Sequence, residues 1–137
     1  MKLKFALRAL LSTGFVSAGI AHLRSPAIFL PLMPPFLPFP IELIYVSGVC
    51  EIALGALMMI PRFRKLAGVG LVLLLIAVFP ANVYMALNDQ VYPNVQSGVR
   101  WGRLPLQLVL IWCVLWVSSI AESGSSEPGE RHVAKEN

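Results

Sequence analysis

Glu51 stands near the centre of an apolar run, with Ser47 one turn before it and Gly48 and Gly55 on the same helical face. A carboxylate at that depth costs several kcal/mol if it faces lipid. Its small neighbours therefore predict an inward position, where it can accept or release a proton. Five further positions carry groups that can bind oxygen acceptors or anions: His22, Asn82, Tyr84, Arg103 and Gln107. Arg103 and Gln107 are one turn apart on one helical face. Glu42, a second carboxylate, falls in a first helical turn, where it suits the helix dipole.

The elements that must position these groups are set by composition. The chain has 137 residues, of which 57% are hydrophobic and 13% charged. A soluble domain keeps roughly 25% charged residues to cover its surface, so the missing polar surface predicts lipid as the principal solvent. The net charge of +4 lies in short clusters beside apolar runs. That is the pattern of a topology signal rather than of nucleic-acid binding. Cys50 and Cys113 are isolated in apolar runs, without the pairing of a zinc or thioredoxin-like site, and read as small hydrophobes. No metal-ligating set is apparent.

Four spans are predicted, over residues 5–23, 41–60, 66–87 and 104–121, giving an all-α four-transmembrane-helix bundle. The first apolar run begins like a signal peptide. It approaches the roughly 20 residues of a spanning helix and lacks a clear small-residue cleavage site, so it is read as an uncleaved span. Gly14, Ala18 and His22 recur every four residues along it, a candidate stripe for close packing. Between the first two spans, Ser25-Pro26 predicts a capped short helix through about Met33. A Pro-Phe segment follows over the bundle mouth, either a rigid connector or a lid. Pro80 interrupts the third span and frees the Ile76 carbonyl. Residues 88–103 read as a turn-rich connection with Trp101 at interface depth. Trp112 and Trp116 lie on a lipid or neighbour-facing stripe. Residues 122–137 read as a disordered tail.

Lys2, Lys4, Arg8, Arg62, Arg64, Lys65, Arg131 and Lys135 fall on one side of this topology, against Arg24, Arg100 and Arg103 on the other. The bias places both termini inside. His22, Glu42, Asn82, Tyr84, Arg103 and Gln107 then reach one outer level from all four helices, with Glu51 deeper. Polar groups in lipid need partners, so they are expected to meet. One reading makes the cluster interhelical glue, at an average of about 0.6 kcal/mol per contact. The other makes it an outward-facing pocket in which Arg103 and His22 donate and Glu51 takes up protons.

Gly19-Ile20-Ala21-His22, Met33-Pro34-Pro35 with Leu37-Pro38, Ser47-Gly48 to Glu51 and Gly55, Phe79 to Ala86, and Arg103-Leu104-Pro105-Leu106-Gln107 together resemble the DoxX-like family of small membrane proteins. The resemblance covers about residues 5–117. It implies a four-helix membrane bundle but little about activity, because most members have none assigned. The family name comes from a subunit of a thiosulfate:quinone oxidoreductase. Related proteins are linked to methylamine utilisation, membrane redox stress and receptor assembly. The resemblance implies a multi-pass protein of the bacterial inner membrane that works with a membrane protein partner or as a homo-oligomer. Two alternatives stand beside it: a quinone-linked redox subunit drawing electrons from elsewhere, with quinone the one cofactor suggested, and a small-amphiphile binding or transport protein.

Overall fold

A computed structural model describes residues 2–118. The predicted tail, and the end of the fourth span beyond Ser118, lie outside the described residues. Five helices follow in order: α1 (Lys2–Arg24), α2 (Pro26–Phe29), α3 (Pro40–Met59), α4 (Arg64–Leu87) and α5 (Ser97–Val117), with a 3₁₀ turn at Leu30–Leu32 after α2. Among the described residues there is no strand. The fold is an all-α four-helix bundle, and α1, α3, α4 and α5 are each long and apolar enough to cross a bilayer. The chain is a multi-pass membrane protein, and its large exposed side chains, among them Leu10, Val46, Leu73 and Trp112, meet lipid.

Successive spans are antiparallel. Lys2, Met59, Arg64 and Val117 share one end of the bundle, the basic end; Arg24, Pro40, Leu87 and Ser97 share the other, the loop end. The neighbours are α1 with α3, α3 with α4, α4 with α5, and α5 with α1. The apolar core sits towards the basic end, where Leu11, Phe15, Met58, Ala67, Leu71, Val114 and Val117 are buried together. Arg8, expected to flank the membrane, is instead buried in this half. Its Nε and Nη2 donate to the Val117 carbonyl at 3.2 and 2.9 Å. That carbonyl lies in the last described turn of α5, where no helical N–H among the described residues reaches it. Arg8 closes the ring of helices by capping it.

Three local expectations are corrected. The fourth span starts at Ser97, seven residues before the predicted start. Ser97-Gly98 had the composition of a turn but forms the first helical turn, and Pro105 lies inside α5 instead of opening it. One missing backbone donor is tolerable in a membrane helix with packed neighbours. As a result Arg100 is not a loop residue: it is buried, with Nη2 donating to Ser97 Oγ at 3.2 Å. Ser25 occupies the position before Pro26 but makes no side-chain cap; its carbonyl accepts the Ile28 N–H instead.

The connection between α1 and α3 lies across the loop end. Pro34 is fully buried, and Phe39 turns the chain into α3 in the left-handed region, at φ 53°. That conformation costs a non-glycine residue about 1–2 kcal/mol.

Candidate functional site

The polar residues occupy the loop-end half of two seams that differ in construction. The first joins α1 and α3. Gly19 and Gly48 bring their backbones together: a β-carbon at Gly19 would sit 2.5 Å from the Gly48 carbonyl oxygen, and one at Gly48 would sit 2.9 Å from that of Gly19. Seven residues away on each helix, Ser12 Oγ donates to the Gly55 carbonyl at 2.7 Å. This register corrects the expected stripe. Gly14 has open space around it and Ala18 is exposed; the packing face runs Ser12, Phe15, Gly19, His22.

The close approach sets His22 of α1 against Ser47 and Glu51 of α3. His22 Nδ1 lies 3.3 Å from Ser47 Oγ and 3.5 Å from Glu51 Oε2. Glu51 Oε2 is buried and has no hydrogen-bond partner among the described residues; 3.5 Å from His22 is an electrostatic contact rather than a short hydrogen bond. Phe29 covers the imidazole edge-on, with ring centroids 4.2 Å apart. Glu51 is thus inside the bundle, with a proton-exchanging ring 3.5 Å from its carboxylate.

The second seam joins α4 and α5. Asn82 Nδ2 donates to Gln107 Oε1 at 2.9 Å, and Gln107 Nε2 donates to the Leu75 carbonyl. The proline-freed Ile76 carbonyl was the expected acceptor. Ile76 is 53% exposed and Leu75 only 8%, so the carbonyl used is that of the inward-facing residue one step earlier. Arg103 reaches towards Met85, with Nη1 3.6 Å from its sulfur. Sulfur is a weak acceptor, so among the described residues most of the donor capacity of Arg103 stays unspent. Beside these groups is an open groove of about 150 Å³, lined by Leu75, Val78, Asn82, Arg103, Leu106, Gln107 and Leu110.

The seven candidates therefore do not form one network. His22 and Glu51 meet in the first seam, and Asn82, Arg103 and Gln107 meet in the second. Tyr84 belongs to an aromatic chain over the loop end: Phe36 to Tyr84 at 5.0 Å and Tyr84 to Tyr92 at 6.4 Å between ring centroids. Glu42 is exposed in the first turn of α3 and joins neither seam. Sequence reasoning missed Tyr92. It lies in the loop after α4, buried, its hydroxyl without a hydrogen-bond partner among the described residues. Burial raises its pKa above the ordinary phenol value, and the neighbouring Tyr84 adds to that.

A family described as Domain of unknown function (DUF8561) matches residues 11–118. The chain belongs to this family. The match takes in both seams and the groove, from Ser12 to Gln107, and leaves out Arg8. Comparison with curated proteins found no match, and comparison with solved structures found none either.

Among the described residues no group of three or more His, Cys, Asp or Glu side chains is placed to hold a metal ion. Cys50 and Cys113 are free thiols. The chemistry on offer is hydrogen bonding to an acceptor oxygen from Arg103 and proton exchange at the His22–Glu51 contact.

Proposed function

We propose that this member of the DUF8561 family is a DoxX-like protein of the bacterial inner membrane that binds the head of a small amphiphile in the α4–α5 groove. The observation that carries this is Arg103: an intramembrane guanidinium at the wall of an apolar groove, met by a thioether and, among the described residues, by no carboxylate. A charge this costly to bury is a functional candidate by default, and its unspent donors suit a carbonyl or anionic oxygen.

The size of the groove narrows the ligand. About 150 Å³ is the volume of a cavity that accommodates benzene, and far below the roughly 300–1,000 Å³ of a drug-sized pocket. One six-membered ring fits, with its tail continuing into lipid along the open side. A quinone head meets both conditions and is the leading candidate, with Arg103 on one carbonyl and the second amide hydrogens of Asn82 and Gln107 beside the ring. The Asn82–Gln107–Leu75 chain fixes that wall before a ligand arrives. Bound quinone would supply two-electron redox chemistry, and a protein partner would exchange the electrons. The basic end faces the cytoplasm in this proposal, which puts the groove in the outer leaflet.

Purification in mild detergent, followed by mass spectrometry of extracted small molecules, tests the reading. The expected result is a ring-headed amphiphile at near-stoichiometric level, retained about tenfold less by Arg103→Ala. Retention unchanged in Arg103→Ala overturns the site. A ring-free lipid lost in Arg103→Ala keeps the site and overturns quinone.

A further inference from the structure

The start of α5, at the loop end, collects positive charge and hydrogen-bond donors without an acceptor to match. Arg100, the fourth residue of the helix, is only 8% exposed. Its Nη2 turns back to Ser97, the first residue, and donates to Oγ at 3.2 Å, so the guanidinium is aimed at the start of its own helix. Nε and Nη1 are buried and have no hydrogen-bond partner among the described residues. The first turn holds no acidic residue, and Gln96 before it makes no side-chain cap. The Gln96 carbonyl accepts the N–H groups of Val99 and Arg100 at 3.0 and 3.1 Å. Ser97 and Gly98 therefore begin the helix with N–H groups that have no helical acceptor. A buried cation without a counter-charge is strongly destabilising, and the positive end of the helix dipole adds to the burden here.

Among the described residues no carboxylate pairs with Arg100; the ion pair there is His22 with Glu51. The surface beside the turn is open: Ser97 and Gly98 are exposed, and a β-carbon at Gly98 would meet nothing within 4 Å. We infer that the start of α5 is a phosphate site, with the Arg100 guanidinium and the Ser97 and Gly98 N–H groups as its donors. A phosphate has oxygens enough for a planar guanidinium and for helix N–H groups at once. It takes the place of the Ser97 hydroxyl on Nη2, a neutral acceptor that an anionic oxygen outcompetes, and draws the other guanidinium nitrogens towards its remaining oxygens. Phospholipid headgroups and free inorganic phosphate both carry this group. The site is separate from the groove, which Arg100 does not line, and it stands whether or not the groove holds a ring.

The test is calorimetric titration of the full chain in a non-ionic detergent, at constant ionic strength, with three probes: short-chain phosphatidylglycerol, inorganic phosphate, and short-chain diacylglycerol, which has the tails and no phosphate. Phosphatidylglycerol is expected to bind at one saturable site, at least about tenfold tighter than diacylglycerol. Equal binding of these two overturns the site. Displacement of the lipid by inorganic phosphate supports the site with the free anion as its source, whereas lipid binding that phosphate does not disturb supports the headgroup. Arg100→Gln is expected to weaken phosphatidylglycerol about tenfold. Arg24→Gln, which removes an exposed cation at the same end, should leave it unchanged; equal weakening in the two variants would show diffuse attraction and overturn the site. If Arg100→Gln does not fold, Arg100→Lys decides, because it keeps the charge and loses the fork. It is expected to bind about threefold more weakly, and undiminished binding would overturn the guanidinium as the partner. Asp89 is exposed in the connection before α5; binding tightened tenfold in Asp89→Asn would make that carboxylate the resident partner of Arg100, again overturning the proposal.

Discussion

The two polar seams use the same kind of bundle differently. Between α1 and α3 the helices touch through backbone at Gly19 and Gly48, and the hydrogen bond from Ser12 to Gly55 repeats the contact one heptad away. Between α4 and α5 the separation is filled by carboxamide side chains, and a groove remains beside them. Lipid tails are as apolar as leucine, so neither seam gains from hydrophobic burial. The first is held by close van der Waals approach. The second holds its helices apart with polar side chains and leaves a place for a ring. Contact density separates scaffold from site here, whereas the mere presence of a buried carboxylate does not.

Breaking the first seam should have the largest effect. A β-carbon at Gly48 would stand 2.8 Å from the His22 β-carbon as well as 2.9 Å from the Gly19 carbonyl oxygen, neither of them the end of a flexible side chain. Gly48→Val is therefore expected to cost about 3 kcal/mol, read as loss of the folded fraction during unfolding in mixed micelles. Gly14→Ala, made where nothing lies within 4 Å, should leave the midpoint unchanged. Equal tolerance of the two substitutions would mean that α1 and α3 are not in backbone contact.

How much of this was legible in the sequence follows from helical geometry. The spans announced themselves by length and apolarity, and their boundaries shifted by only a few residues except at Ser97. The face carrying Gly48, Glu51 and Gly55 was also legible, because alternating steps of three and four residues return to the same side of a helix. The partner face on α1 was misassigned. Steps of four, as in Gly14, Ala18 and His22, drift around the helix by about 40° each, whereas Ser12, Phe15, Gly19 and His22 alternate four and three and stay on one side. Arg8 and Arg100 were misplaced for a different reason. A cation near the end of an apolar run looks like an interfacial anchor, and only the position of the neighbouring helices decides whether it turns inward. The division of the polar residues into two seams depends likewise on which helices are neighbours.

The second seam should yield less to mutation. Gln107 is 3% exposed and bridges Asn82 to the Leu75 carbonyl. Gln107→Leu strands both partners in a place water does not reach, at an expected cost of about 1–2 kcal/mol. The same variant should lose the groove ligand, because the wall that positions its ring is gone. A stability change as large as that of Gly48→Val would make the α4–α5 seam a second scaffold.

Glu51→Gln should have the smallest effect on folding, and it tests whether the two seams are separate at all. The carboxamide has nearly the shape of the carboxylate and removes the burden of a buried charge. Its N–H can also donate towards His22 Nδ1, so the contact between α1 and α3 survives. The expected change in stability is within about 0.5 kcal/mol, with amphiphile retention at the wild-type level because Glu51 does not line the groove. If instead Glu51→Gln releases the amphiphile as Arg103→Ala does, the ligand reaches from α5 to α3, and the division between a scaffold seam and a binding seam must be abandoned.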